Sequence, residues 1–172
     1  MDLDDLLGDL RLPFEESPAE RKLREAATVE SPSWARDNFG RKKPYAPFAK
    51  RGLLIGFDGE GEYFLPGSHA TLLRYVLARA GLPDAPVEEK RTAQGFELSA
   101  PGGSGSGPGT SDYAEAPLVA HVADRALAHA RAPLRLLQVD SDDQGSLFVL
   151  VPAAARDRIA AALGDFLVEF RG

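Results

Sequence analysis

From residue 53 onward, apolar runs alternate with short clusters of Gly, Pro and Asp, the pattern of strands and helices separated by tight turns. Leu53–Phe57 and Glu62–Leu65 are apolar and aromatic, and the intervening Asp58, Gly59, Glu60 and Gly61 supply a turn, which predicts a β-hairpin. Pro66, Gly67 and Ser68 then break the strand. Ser68 is placed to cap a helix with apolar face Leu72, Leu73, Val76, Leu77 and Ala80, ended by Gly81 and Pro83. Gln94–Leu98 reads as a short strand, and Gly102–Gly109 as a flexible loop, because six of those eight residues are Gly or Pro. A further helix is predicted from Ser111 or Asp112, with Pro117 near its first turn and Leu118, Val119, Val122, Ala126 and Leu127 as its apolar face, stopping before Pro133. Leu134–Val139 and Ser146–Val151 flank an acidic turn at Asp140–Gly145 and predict a second hairpin. Pro152 opens a last helix whose seam is Ile159, Leu163, Phe166, Leu167 and Phe170 if it continues past Gly164.

Residues 1–51 read differently. Pro13, Pro18, Pro32, Pro44 and Pro47 interrupt the segment, and its apolar residues come singly or in pairs, so it is expected to be an arm with short helices attached to one α+β domain over 52–172. Leu3, Leu6, Leu7 and Leu10 recur at helical spacing on an acidic background. Ser17, Pro18 and Glu20 form a cap, a first-turn proline and a capping box. A four-leucine stripe on so short a helix needs a covering surface, either the domain or a partner.

The expected class is α+β: a mainly antiparallel sheet of four or five strands, built from two hairpin–helix units, with helices on one face and an extended N-terminal arm. Residues 53–81 and 136–164 share a layout in which Gly61 matches Gly145 and Pro66 matches Pro152. A duplication and two unrelated hairpin–helix units both fit that layout.

Composition narrows the function classes. The chain has 172 residues, no Cys and a net charge of −6, so it offers no disulfide framework, thiolate nucleophile or thiolate metal site. The charge is segregated. Residues 1–20 hold seven acids and one base, residues 36–51 six bases and one acid, and residues 52–172 ten bases and sixteen acids. An acidic domain is not expected to attract nucleic acid, although Arg36, Arg41, Lys42, Lys43, Lys50 and Arg51 interleaved with Phe39, Tyr45 and Phe48 have the composition of a stacking segment. No apolar run approaches the roughly 18 residues of a membrane span, and the acidic start lacks a secretory signal, so a cytoplasmic protein is expected.

Catalytic motifs are sparse. Gly102–Gly109 lacks the spacing and the Lys of a phosphate loop, and Ser104 and Ser106 do not form a nucleophile elbow. His69, His121 and His129 show no zinc spacing. The acids at the two predicted turns stand out: Asp58, Glu60 and Glu62 in one, Asp140, Asp142 and Asp143 in the other. They gather at one sheet end if the hairpins lie side by side, as a patch for a basic protein partner. Alternatively, Asp58, Glu60, Asp140 and Asp142 serve a small enzyme or a divalent cation, although Asp140 does not begin an EF-hand loop, whose twelfth position here is Val151.

The hairpin from Leu134 to Pro152, with its acidic turn and following helix, resembles the C-terminal part of small uncharacterised bacterial domains, some of them immunity proteins encoded beside polymorphic toxins. The resemblance covers about forty residues. It implies a cytosolic toxin-neutralising or adaptor domain and carries over no site residue. The expectation is therefore an interaction protein rather than an enzyme, with no cofactor. Its expected partner contacts are the six turn acids, the stripe Leu3, Leu6, Leu7 and Leu10, and Trp34 with Phe39.

Overall fold

The computed structural model describes residues 2–58, 67–108, 114–141 and 145–170. Among the described residues, seven α-helices and seven strands make an α+β fold with two antiparallel sheets, one of four strands and one of three. The first sheet contains β1 (Leu54–Asp58), β5 (Leu134–Val139), β6 (Gly145–Pro152) and β7 (Leu167–Val168) in the order β1-β6-β5-β7. The predicted second hairpin is β5–β6, with Leu136 opposite Leu150 and Gln138 opposite Phe148. β1 pairs with β6, Leu54 opposite Val149 and Asp58 opposite Gly145. The predicted partner strand at 62–65 lies outside the described residues. Adjacent positions from Leu147 to Val151 are all buried, so this sheet is covered on both faces rather than by helices on one.

The second sheet was not anticipated. It is β2 (Glu88–Thr92), β3 (Gly95–Ala100) and β4 (Gly103–Pro108), in that order. β2 has no apolar alternation because it is a mostly exposed edge of charged residues. β4 corrects the flexible-loop reading of the glycine segment. Its alternate glycines face α6 (Ala116–His129), and a Cβ on Gly103 would sit 3.0 Å from the Val122 carbonyl oxygen, one on Gly105 2.5 Å from Leu118 Cδ1. Pairing with β3 makes the strand, and its glycines let α6 pack at a distance that a side chain would not permit.

α5 (Ser68–Arg79) buries Leu72, Leu73, Val76, Leu77 and Ala80 as predicted. Its cap differs. Ser68 is the first helical residue, and the amide hydrogens of Gly67 and Ala70 are donated to the carboxylate of Glu89, reaching across from β2. A distant carboxylate thus does the work expected of the local serine. α6 places Pro117 in its first turn and buries its predicted face, while its predicted start at 111–112 lies outside the described residues. The last helix is shorter than its seam suggested. After a 3₁₀ turn at Ala153–Ala155, α7 (Arg156–Leu163) stops at Gly164, φ +54°, so Ile159 and Leu163 are buried but Phe166 is 43% exposed.

Within residues 2–51 lie α1 (Leu3–Leu7), α2 (Pro18–Ala26), α3 (Pro32–Phe39) and α4 (Ala46–Ala49). Leu7, Ala27, Val29, Ala35, Tyr45, Phe48 and Ala49 belong to the same buried cluster as the sheets. Arg79, buried in α5, donates to the carbonyls of Pro13 at 2.6 Å and Gly52 at 3.0 Å. Arg51 pairs with Asp4 at 2.6 Å, so the basic and acidic blocks of the segment partly neutralise each other. Among the described residues no helix is long and apolar enough to cross a membrane.

Candidate protein-binding site

A cleft of about 390 Å³ opens where β1 ends and β6 begins, lined by Glu30, Trp34, Phe39, Gly56, Asp58 and Gly145 among others. Local sequence chemistry sets its upper wall. Ser31 caps α3, its Oγ accepting from the Trp34 amide at 3.1 Å, and Pro32 occupies the first turn. The residues just ahead of α3 are held to β1 by a bridge between Val29 and Phe57 and by the Glu30 amide donating to the Gly56 carbonyl at 2.9 Å. The indole of Trp34 then lies over Gly56, where a Cβ would be 3.7 Å from Cζ3 and 3.3 Å from Leu147 Cδ2. A Cβ here would meet the ring at ordinary contact distance and crowd Leu147 more closely.

Trp34 also begins a row of four aromatic rings. Trp34–Phe39, Phe39–Tyr45 and Tyr45–Phe166 meet edge to face, with centroids 5.9, 5.4 and 6.3 Å apart. This is the arrangement that ring quadrupoles favour. The middle of the row is inside the protein, Tyr45 being 3% exposed, and its ends are outside, Trp34 at 39% and Phe166 at 43%. Those ends are the exposed large hydrophobic side chains among the described residues.

Charge is arranged around this row. Glu30 and Asp58 stand at the cleft, and Asp140 is exposed at the end of β5, its carbonyl accepting the Tyr45 hydroxyl. On the other side, Lys42 Nζ lies 5.3 Å from the Phe39 centroid. Asp58 and Gly145 being cross-strand partners puts the end of β1 beside the start of β6, at the sheet end where β5 stops at Val139. Of the expected turn acids, Glu60, Glu62, Asp142 and Asp143 lie outside the described residues. Among the described residues no three of His, Cys, Asp and Glu are grouped to hold a metal ion.

The leucine stripe is drawn inward rather than brought to this cleft. Asp2 caps α1, its carboxylate accepting from the Asp4 amide at 2.7 Å, and Gly8 ends it, so Leu10 falls beyond the helix. Leu7 is 2% exposed, and Leu3, Leu6 and Leu10 are half-buried against the core. Of the two coverings open to this stripe, the chain's own core takes Leu7, which removes it as a partner contact, and packs against part of Leu3, Leu6 and Leu10. Sequence reading missed Glu30 and Phe166. The Ser31–Pro32 pair repeats the Ser17–Pro18 start signal and was the available pointer to α3, whereas Phe166 was hidden by the assumption that the last helix passes Gly164.

Compared with protein-family models, characterised proteins and solved structures, the chain matches none.

Proposed function

We propose that this chain is a protein-interaction domain, of the toxin-neutralising or adaptor kind, whose contact surface is the aromatic row and the cleft at the end of β1. The observation that supports this reading is that a row of four rings leads from the interior to two exposed aromatic ends, beside Glu30, Asp58 and Asp140. Rigid aromatic side chains set next to charge are what protein-contact hot spots are made of. The fitting partner is a basic segment carrying an apolar side chain, which enters the cleft against Trp34 while its cations face the carboxylates.

Trp34 is the only tryptophan in the chain and reports directly on the cleft. Titration of the full chain with an amphipathic Lys–Leu peptide should blue-shift Trp34 emission in a saturable, salt-sensitive way, and a Glu–Leu peptide should not. Glu30→Gln with Asp58→Asn should weaken binding and flatten its salt dependence. Equal response to both peptides, or indifference to salt and to these substitutions, overturns the proposal.

A further inference from the structure

A second cleft, of about 320 Å³, shares no lining residue with the first; its walls include Pro117, His121 and Asp124 of α6, Gln138 of β5, Arg156 of α7 and Phe170. It exists because β7 is short. β7 pairs with β5 only at Gln138–Val168 and Val139–Leu167, and the next outward amide of β5, that of Leu136, donates instead to Asp124 Oδ1 at 3.1 Å.

The strongest charges around this cleft are already committed. Asp124 accepts two bonds from Arg135 at 2.7 Å each and one from Arg156 Nε at 3.2 Å. Arg156 also reaches Asp157 at 3.1 Å. A charged ligand seated on Asp124 or Arg156 would have to displace a satisfied pair, which a low-dielectric site resists, and the remaining lining charge, Glu169, stands exposed to water. His121 stacks on Phe170 with centroids 4.6 Å apart and planes 30° apart, so the cleft has an aromatic wall.

Gln138 is the exception. It is 9% exposed and lines the cleft, and its Oε1, turned inward away from solvent, has no hydrogen-bond partner among the described residues. A buried carboxamide oxygen that accepts no hydrogen bond destabilises a fold, and leucine or methionine would fill the position without that loss. A carboxamide offers a donor and an acceptor side by side in one plane, and its complement is another planar group with the same pair.

We propose that this cleft binds a small, neutral, planar ligand with an amide edge, an adjacent N–H and C=O, which pairs with the carboxamide of Gln138 as that side chain turns its unsatisfied oxygen outward beside the His121–Phe170 wall. A peptide-type primary amide and a nucleobase both carry that edge, and the probes separate them: N-acetylglycinamide for the first, uracil for the second. N,N-dimethylacetamide, which has no N–H, is the control.

The test is a nuclear magnetic resonance titration of the isotope-labelled full chain. At least one of the two N–H probes should move the Gln138 side-chain amide resonances and the backbone amides of β5 saturably, with at least ten-fold weaker response to N,N-dimethylacetamide. Gln138→Leu should abolish the saturable shift while raising the thermal unfolding midpoint of the free protein. If leucine disturbs packing, Gln138→Met supplies the same comparison. Response to uracil alone assigns a nucleobase edge, and response to N-acetylglycinamide alone a peptide-type edge. No saturable shift with either probe, equal response to N,N-dimethylacetamide, or undiminished binding in both variants overturns the proposal.

Discussion

Tyr45 donates its hydroxyl hydrogen to the backbone carbonyl of Asp140 at 2.6 Å, across 95 residues of sequence. One bond thereby ties the N-terminal segment to the acidic turn and holds the third ring of the aromatic row in place. Tyr45→Phe keeps the ring and removes the donor, leaving a carbonyl to find water. The expected loss is about 1 kcal/mol in urea unfolding, within the usual range for a neutral hydrogen bond. Faster hydrogen exchange around Asp140 should accompany it, and an unchanged exchange rate would count against this role.

Asp124 is the most heavily used carboxylate among the described residues. It is 8% exposed, receives both Arg135 and Arg156, and caps the Leu136 amide. Asp124→Ala strands Arg135 and a strand amide and leaves Arg156 with Asp157 alone, and should destabilise the protein by about 3–5 kcal/mol. Arg156→Ala leaves the two-bond contact with Arg135 in place, and its side chain is 30% exposed, so a loss of about 1 kcal/mol or less is expected. Chemical denaturation of the two variants side by side checks the ranking.

His69 stacks on Phe96 at 4.4 Å, and its Nε2 accepts the Glu115 amide hydrogen at 3.0 Å, which fixes the neutral tautomer with hydrogen on Nδ1. Burial lowers its pKa, with Glu89 pulling the other way. The unfolded chain therefore takes up the proton first. Stability should be full above the ordinary histidine range and fall as pH drops through about 6.5 towards the lowered folded value. His121, whose pKa is also lowered by burial and by Arg125 against Asp124, adds to the same trend. Melting temperatures from pH 7.5 to 5 should decline, less steeply in His69→Gln, and a rise on acidification would contradict the assignment.

The glycines of β4 should be intolerant on one face only. Gly105→Val drives a side chain into Leu118, and Gly103→Val into the backbone of α6, and each should destabilise by about 1–3 kcal/mol or more, the usual effect of overpacking. Ser104 and Ser106 point away and are exposed, so Ser104→Val should be within about 0.5 kcal/mol of the parent. Equal effects on both faces would mean that α6 does not set the composition of this strand.

Several elements were legible from local chemistry alone. The β5–β6 hairpin, the apolar faces of α5 and α6, and the Ser17–Pro18 start of α2 each depend on spacing within a few residues, which the chain carries wherever it packs. The pairing of Asp58 with Gly145 at one sheet end came from the structure, which sets β1 beside β6. Four of the six turn acids, and the first hairpin's second strand, lie outside the described residues.

Other features depend on what lies across the fold. A Gly–Ser–Gly–Ser–Gly–Pro run has the composition of a linker, and it becomes a strand by pairing with β3, its glycines leaving to α6 the space where side chains would stand. Ser68 has the chemistry of a cap, yet Glu89, brought in by a strand with no apolar pattern, takes the role because a buried carboxylate reaches two helix amides at once. The leucine stripe on α1 carries no mark of its occupant, and packing against the chain's own core decides it. The aromatic row joins residues from 34 to 166, and the unpaired oxygen of Gln138 is unusual only where it is buried. Periodicity, caps and turns act within a few residues and so can be read along the chain, whereas burial and hydrogen-bond satisfaction depend on neighbours that only the folded backbone assembles.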